Sequence, residues 1–380
     1  MTPTALVERP PASMVFEVRD RAALAALAPA WSGLAHDAAG QVFYRHEFIS
    51  TWVESFAPRG RVRVVAERDG AERLTAVLPL VAERVTLCGV PVRQLTSASN
   101  VHSCRFDLLA RHPAASGGAL LDHLVERGGW DVLRILDVPE DGAAWHLLHA
   151  ARARGLRVGT WASVNSPFIT LPATVDALGQ RLDAKFRANL QRRRRRLAEK
   201  GRVAVEHVTG GPALDARLGE AFALERSGWK GRRGTAIAQD AAVQRFYRDL
   251  ARVAADGGYL SLYFMRLDGR PIACHYALEY GGKYLLLKPA YDETFRECSP
   301  GQLLTWDVVR DCVARGLDEF DFLGPDMPWK RDWTSTARRH TWLYVFGPTL
   351  AGRVAWAAKF RWLPAVRPMV DALRRTRHAR

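Results

Sequence analysis

The chain has 380 residues, of which 48% are hydrophobic and 25% charged, with a formal net charge of +15 at pH 7. This composition excludes a disordered, collagen-like or low-complexity protein and is typical of one or two globular domains. No apolar run approaches the roughly 20 residues that cross a bilayer, and the first fifteen residues lack a secretory signal pattern. Five scattered cysteines without metal-ligand spacing fit a reduced, cytoplasmic protein.

Hydrophobic periodicity predicts alternating helices and strands along the first half of the chain. Helical spacing occurs at 22–34 and 46–56, and a hairpin over 62–67 and 74–81 is extended by a strand at 85–92. Two helix–strand units then continue to residue 164. A proline-flanked extended segment, 166–172, predicts a crossover between two sheets.

The second half repeats this order of elements in outline. A long basic helix (175–201), a strand and two helices precede three antiparallel strands at 259–267, 271–280 and 283–291. A helix, a strand at 319–323 and a last strand follow. No short sequence repeat accompanies this order, so a duplication is a hypothesis only. We predict a mixed α/β fold with a flexible N-terminus (1–15), two domains (16–165 and 166–348) and a tail (349–380).

The positive charge is concentrated in two segments. Nine Lys or Arg residues against one acidic residue lie in 184–202, and eight against one lie in 350–380, which accounts for the whole surplus of 15. The arginines at 192–196 wrap around a helix, so most are solvated, and binding of a phosphorylated ligand or RNA is the alternative. The tail mixes aromatic and basic residues, which suits either a membrane-interface anchor or packing against the body.

The strongest chemical signal is the sequence Ser299-Pro300-Gly301, where a loop opens a helix. Proline suits the first helical turn, and Gly301 allows close approach of a ligand to the backbone. The unpaired amides of such a turn bind anions, and Arg296 lies just upstream. An ordinary helix entry with Ser299 as N-cap is the alternative interpretation.

The three antiparallel strands carry further candidates. Alternation places His275 and Glu279 on one face of their strand, where they line a cleft or form hydrogen bonds within the sheet. Lys288 and Tyr291 lie where Pro289 ends a ladder and frees amides, so they point at a ligand or form a solvated rim.

Polar residues around the later strand and an earlier loop complete the set. Asp321 sits in a strand pattern and must be paired, exposed in a cleft or shifted in pKa, with Lys330 and Arg331 as its expected partners. Glu225 ends a helix before a flexible loop with Trp229 and Lys230, which predicts a lid or an acceptor contact.

An antiparallel meander, a phosphate-cradling turn, a helix and a strand, in this order, resemble the acyl-CoA N-acyltransferase (GNAT) superfamily. The phrases Leu190-Gln191-Arg192-Arg193, Ser299-Pro300-Gly301, Asp321-Phe322-Leu323-Gly324 and Trp329-Lys330 with Trp333 resemble the bacterial two-domain family associated with cellulose and exopolysaccharide synthesis. FemABX peptidyltransferases are more distant relatives. One departure concerns the phosphate turn, which here contains a single glycine, Gly301, where the superfamily carries two small residues.

The resemblance implies tandem GNAT-like domains that use acyl-CoA, such as acetyl-CoA, and no metal to acylate an amine of a sugar, lipid-linked or polysaccharide precursor. It implies a cytoplasmic enzyme, with the tail as a peripheral membrane contact. An aminoacyl-tRNA donor, as in FemABX proteins, and a non-catalytic docking module are the alternatives; other nucleic-acid binding is not expected. The implied roles are catalytic for His275, Asp321, Tyr291 and Lys330; cofactor-binding for Lys288, Arg296, Ser299, Pro300, Gly301, Gln302 and Leu303; and substrate-binding for Glu225, Trp229, Lys230 and Trp333.

Overall fold

The computed structural model describes residues 13–38, 41–58, 60–228 and 237–363, and these form one mixed sheet of 13 strands between helices. The strands are β1 (Met14–Val18), β2 (Val62–Arg68), β3 (Leu74–Leu87), β4 (Val90–Ser97), β5 (Leu109–Ala110), β6 (Val132–Pro139), β7 (Arg157–Thr170), β8 (Val203–Val208), β9 (Leu260–Leu267), β10 (Arg270–Tyr280), β11 (Lys283–Tyr291), β12 (Glu319–Asp321) and β13 (Ala337–Phe346). Their order across the sheet is β1-β2-β3-β4-β6-β13-β7-β12-β11-β10-β9-β8, with β5 paired to β3.

Twelve α-helices lie within the described residues. They are α1 (Arg21–Ala26), α2 (Ala28–Ala38), α3 (His46–Phe56), α4 (Pro113–Arg127), α5 (Ala144–Ala153), α6 (Val175–Arg181), α7 (Ala184–Ala198), α8 (Leu214–Ser227), α9 (Ala241–Asp256), α10 (Pro300–Ala314), α11 (Pro328–Arg331) and α12 (Leu350–Ala357). The predicted mixed α/β fold is therefore confirmed.

The two halves of the sheet share one order of elements. In each half an edge strand and helices precede an antiparallel meander, β2-β3-β4 or β9-β10-β11, and the third meander strand pairs in parallel with a later strand, β6 or β12. The repeated order predicted from the sequence is thus present in the structure.

The halves also exchange strands. β13, from the end of the described chain, lies between β6 and β7, while β7 pairs first with β13 and then, at its end, with β12. The predicted crossover at 166–172 is therefore mostly a continuation of β7, because an extended chain with hydrogen-bonding partners on both sides has no reason to leave the sheet.

Two predicted elements are each interrupted in the structure by a short turn or a new helix start. The strand predicted at 85–92 is instead the end of β3, a two-residue turn and the start of β4; in the turn, Cys88 and Gly89 have φ of 51° and 83°. The helix predicted at 175–201 is two helices, α6 and α7, because the Asp183 side chain accepts a hydrogen bond from the Phe186 amide and begins a new helix. α3 buries Phe48, Ile49, Trp52 and Val53, as its periodicity predicts.

Candidate active site

A cavity of about 560 Å³ opens where β11 and β12 part. These two strands pair in parallel over only three residues each, from Lys283 and Glu319 onward. The β10–β11 register then shifts, so that Leu286 faces Ala277 and Lys288 faces Tyr276, which leaves Leu287 as an extra residue on β11. Such a bulge bends a strand and interrupts its ladder. The bulge and the early end of β12 together create the crevice.

Five parts of the C-terminal half line the cavity: β11 from Leu286 to Tyr291, the entry to α10, the segment between Phe322 and Asp332, the end of α8, and Arg193 on α7. The N-terminal half contributes Val101 and Cys104. Eight of the residues predicted to form the site line this cavity, namely Glu225, Lys288, Tyr291, Arg296, Ser299, Gly301, Gln302 and Lys330.

The first turn of α10 is less open than its sequence predicts. Ser299 adopts a left-handed conformation (φ 46°, ψ 57°), and its hydroxyl donates to the Arg296 carbonyl at 3.3 Å instead of capping α10. The amides of Gln302 and Leu303 both donate to the Ser299 carbonyl, at 3.0 and 3.1 Å. Pro300 has no N–H, so within this first turn only the Gly301 amide has no backbone acceptor in the described part of the chain.

Two residues assigned to cofactor binding do not line the cavity, and a third is tied to a neighbouring loop. Pro300 and Leu303 are buried in the core beneath α10, because both lie on its inward face. The Gln302 side chain lines the cavity, but it donates to the Trp329 carbonyl at 3.3 Å and accepts from the Trp333 indole at 2.6 Å. An extended amide cradle is therefore wrong, and an anion would be held mostly by side chains.

Those side chains are predominantly cationic. The cavity is lined by four cationic residues, Arg193 on α7, Lys288, Arg296 and Lys330, and by two acidic residues, Glu225 and Asp332. The Lys288 ammonium lies 5.4 Å from the centre of the Tyr247 ring, a cation–π contact. A cleft with a cationic surplus attracts anions such as phosphates.

Lys330 is a cavity residue with unusual surroundings. Its ammonium donates to the carbonyls of Leu323 and, at 2.8 Å, Pro325, and the residue is only 4% exposed. Burial lowers the pKa of Lys330 to about 8. Near neutral pH, Lys330 is therefore present in both its protonated and its neutral form. Its two hydrogen bonds to Leu323 and Pro325 fix the loop that lines the cavity.

Asp321 lies outside the cavity, beneath that loop, and is fully buried. Its carboxylate pairs with Arg105 from the N-terminal half and with Arg338 at 2.8 Å, and accepts from the Leu323 amide at 2.8 Å. Burial alone would raise the pKa of Asp321, but the two guanidinium groups hold it below its usual range.

The predicted partners of Asp321 are wrong. Lys330 binds backbone carbonyls, and Arg331 pairs with Asp326 at 3.0 Å. Instead, Asp321 holds Leu323 in a left-handed conformation (φ 49°) that side chains rarely adopt. Asp321 therefore shapes the loop of the cavity and does not itself line the cavity.

His275 is 2% exposed and does not line the cavity, so the prediction that it lines a cleft is wrong. β10 lies between β9 and β11, and both of its faces are covered. Thr305 donates its hydroxyl to the Gly301 carbonyl at 2.9 Å, so it accepts from His275 Nε2 at 3.3 Å, while Nδ1 accepts from Tyr284. Burial lowers the pKa of His275 to about 3, which keeps the ring neutral.

The residues assigned to acceptor binding divide into three cases. Glu225 lines the cavity, and its carboxylate accepts from the Ile237 amide at 2.8 Å. Trp333 is 5% exposed, packs edge-on against Phe186 and does not line the cavity, so the structure does not bring it together with the other predicted site residues. Trp229 and Lys230 lie outside the described residues.

Sequence reasoning missed the contribution of the N-terminal half. Arg105 is 1% exposed and joins Asp321 across 216 positions of sequence, while its neighbour Cys104 reaches the cavity. No short-range pattern signals such a pairing. The one available hint was that a buried aspartate requires a cationic partner.

Comparison with known proteins agrees with this geometry. Residues 184–331 match the family model described as Acetyltransferase (GNAT) domain, and all but three of the residues around the cavity fall in this segment. This segment of the protein is thus similar to a GNAT-type acetyltransferase domain. No curated protein matches the chain.

Several solved structures share the fold. FemX is 13% identical, with a TM-score of 0.56 over 90% of this chain and 100% of its own. L-PGS from Bacillus licheniformis is 11% identical, with a TM-score of 0.53 over 90% and 96%. The C-terminal domain of a putative lysylphosphatidylglycerol synthetase from Agrobacterium fabrum is 11% identical, with a TM-score of 0.52 over 87% and 94%. At these identities the likeness establishes the fold alone.

Proposed function

We propose that this protein transfers an acyl group from a coenzyme A thioester to an amine, in the cavity between β11 and β12. The observation that carries the proposal is that cavity itself: a crevice of about 560 Å³ in the acetyltransferase segment, with apolar strand residues inside and cations at the helix entry. The apolar part suits a pantetheine arm and an acyl chain, and the cations suit its phosphates.

The cavity offers groups that fit the phosphates of a coenzyme A thioester. Three such groups would hold them: Arg193, Arg296 and the Gly301 amide. Coenzyme A supplies an activated acyl group when bound. Because no covalent nucleophile is needed, the protein has to orient donor and amine, exclude water and remove a proton from the amine.

Lys330 is the base that the cavity offers. In its neutral form the amine has two N–H groups, which the carbonyls of Leu323 and Pro325 accept, and its lone pair remains to receive a proton. A pKa of about 8 is close to that of an efficient base at neutral pH. Glu225 lines the same cavity and is the alternative base.

A thiol-release assay tests the proposed reaction. Acetyl-CoA and longer acyl-CoAs, offered with amino sugars and amine-bearing lipids, should release free thiol only when an amine acceptor is present. Calorimetry should show that the protein binds these thioesters. Absence of binding to every coenzyme A thioester tried would overturn the proposal and favour a non-catalytic docking module.

The pH profile tests the role of Lys330. We expect kcat/KM to rise with pH and level off above about 8, because Lys330 must lose its proton to act as a base. Lys330→Met should remove this inflection and lower kcat by about 100-fold. Glu225→Gln should keep the inflection; if Glu225→Gln abolishes it and Lys330→Met does not, Glu225 is the base.

We propose further that the acceptor belongs to a cell-envelope or exopolysaccharide precursor, with cellulose synthesis as one such pathway. The support is the resemblance in sequence and the shared fold of a putative synthetase whose name gives a phospholipid product. The acyl chain and acceptor would be identified by the substrate preference in the same assay.

One observation favours a second donor. The first turn of α10 offers a single amide, a weaker phosphate site than the superfamily turn, and exposed Arg192, Arg195 and Arg196 lie on α7 beside the cavity residue Arg193. These features suit the phosphates of an aminoacyl-tRNA. Salt-sensitive binding to charged tRNA, without affinity for any coenzyme A thioester, would select this donor.

A further inference from the structure

The end of the described chain, residues 350–363, forms a cationic and aromatic surface and contributes no residue to the cavity. α12 continues as a π-helical turn (Ala358–Trp362), and together these cover the outer face of the sheet around β7 and β13. Phe360 lies directly over Gly159, where a Cβ atom would stand 2.3 Å from the ring, so only glycine lets the helix approach this strand. The tail therefore packs on the body at least as far as Phe360.

Large apolar side chains nevertheless remain exposed beside this helix. Seven large hydrophobic residues are exposed among those the structure describes, and four of them belong to this region: Trp161 (42%), Leu350 (78%), Trp362 (56%) and Leu363 (51%). The Lys359 ammonium lies 4.5 Å from the centre of the Trp161 ring. Lys359, Trp362 and Leu363 lie within five residues of one another at the end of this helix, so a cation and exposed apolar side chains share this segment.

The charged side chains of β7, of β13 and of residues 350–363 are all basic. Arg157 and Arg361 each lie 5.5 Å from the Trp356 ring and both are exposed, as is Arg353. No acidic residue occurs in β7, in β13 or in residues 350–363. Exposed tryptophans framed by cations are complementary to the headgroup region of an anionic bilayer, where indole rings and basic side chains are both favourable.

We propose that the surface formed by Trp161, Lys359, Arg361, Trp362 and Leu363 docks the protein on membranes that contain anionic phospholipid. No helix in the described ranges is long and apolar enough to cross a membrane, so this contact is peripheral. The association is independent of the proposed reaction, and it can be measured without any substrate.

Co-sedimentation of the full chain with vesicles tests the proposal. The protein should bind vesicles of 30% phosphatidylglycerol in phosphatidylcholine, should bind pure phosphatidylcholine much less, and should be released as salt is raised. Trp161→Ala combined with Trp362→Ala should weaken binding by about tenfold or more. Lys359→Gln combined with Arg361→Gln should weaken it by about 5-fold for each charge removed.

Two matched controls make the result specific. Val205→Ala removes an exposed apolar residue from β8, and Arg252→Gln removes an exposed cation from α9; both should bind vesicles as the unchanged protein does. Circular dichroism should show that each variant is folded. The proposal is overturned if the unchanged protein does not prefer phosphatidylglycerol vesicles, or if the folded double variants bind them as tightly as the controls do.

Discussion

Asp321→Asn should destabilise the protein by about 3–5 kcal/mol, measured as the free energy of unfolding in urea. The substitution leaves the buried guanidinium of Arg105 without its counter-charge and weakens the pair with Arg338. Breaking a buried ion pair from one side costs this much because the remaining charge is not solvated. Asparagine keeps only one acceptor oxygen, for which the Leu323 amide and the two guanidinium groups then compete, so the loop beside the cavity should also become less ordered.

Asp326→Asn is the matched control, since it removes an aspartate from an exposed pair with Arg331 only a few residues away. We expect it to change stability little, because solvent screens such pairs. Equal, small effects of both substitutions would contradict the view that Asp321 joins the two halves of the protein.

The pH dependence of the free energy of unfolding is a second test of the contribution of Asp321. The pKa of Asp321 is below its usual range in the folded protein, so its contribution is complete above about pH 4. That contribution is lost as the pH falls through the folded pKa. The unchanged protein should therefore lose stability on acidification more steeply than Asp321→Asn does.

Arg296→Ala should raise KM for the acyl-CoA donor by about 10- to 100-fold and leave kcat nearly unchanged. Arg296 lines the cavity at the entry to α10, where the backbone offers only the Gly301 amide. Loss of a hydrogen bond to a charged group costs about 1.5–3 kcal/mol, which corresponds to this range. An effect confined to KM is the signature of binding that is equal in ground and transition states.

Arg310→Ala provides the comparison on α10, the helix that Arg296 precedes. Arg310 lies near the Trp306 ring and does not line the cavity, so its removal should leave donor KM unchanged. If both substitutions raise KM equally, the general positive charge of the helix, and not the entry to α10, governs donor binding.

Much of the site could be predicted because its residues are close in sequence. The third meander strand, the turn at Ser299-Pro300-Gly301 and the segment after Asp321 each show a local pattern, and the parallel pairing of β11 and β12 brings them together. The prediction that Pro289 ends the ladder is wrong, because β11 stays paired with β10 as far as Tyr291. The bulge at Leu287, which opens the crevice, was not predicted, because no glycine or proline marks that position.

The failures have three physical causes. Alternation along β10 separates its two faces, but it does not reveal that both are covered, and so both a cleft and a buried position stayed open for His275, which was assigned a catalytic role. Pairings that span the halves, such as Arg105 with Asp321 and β13 with β6, depend on the tertiary structure and leave no periodic signal. The predicted amide cradle failed because Ser299 turns its own carbonyl toward the next amides.

A crystal structure of the protein with a non-hydrolysable acyl-CoA analogue would show whether the crevice between β11 and β12 is the donor site. We expect the acyl end to lie between Leu286–Leu287 and Phe322–Leu323, with the phosphates against Arg296 and the Gly301 amide. A ligand bound elsewhere, or an unaltered and empty crevice at saturating concentrations of the analogue, would contradict it.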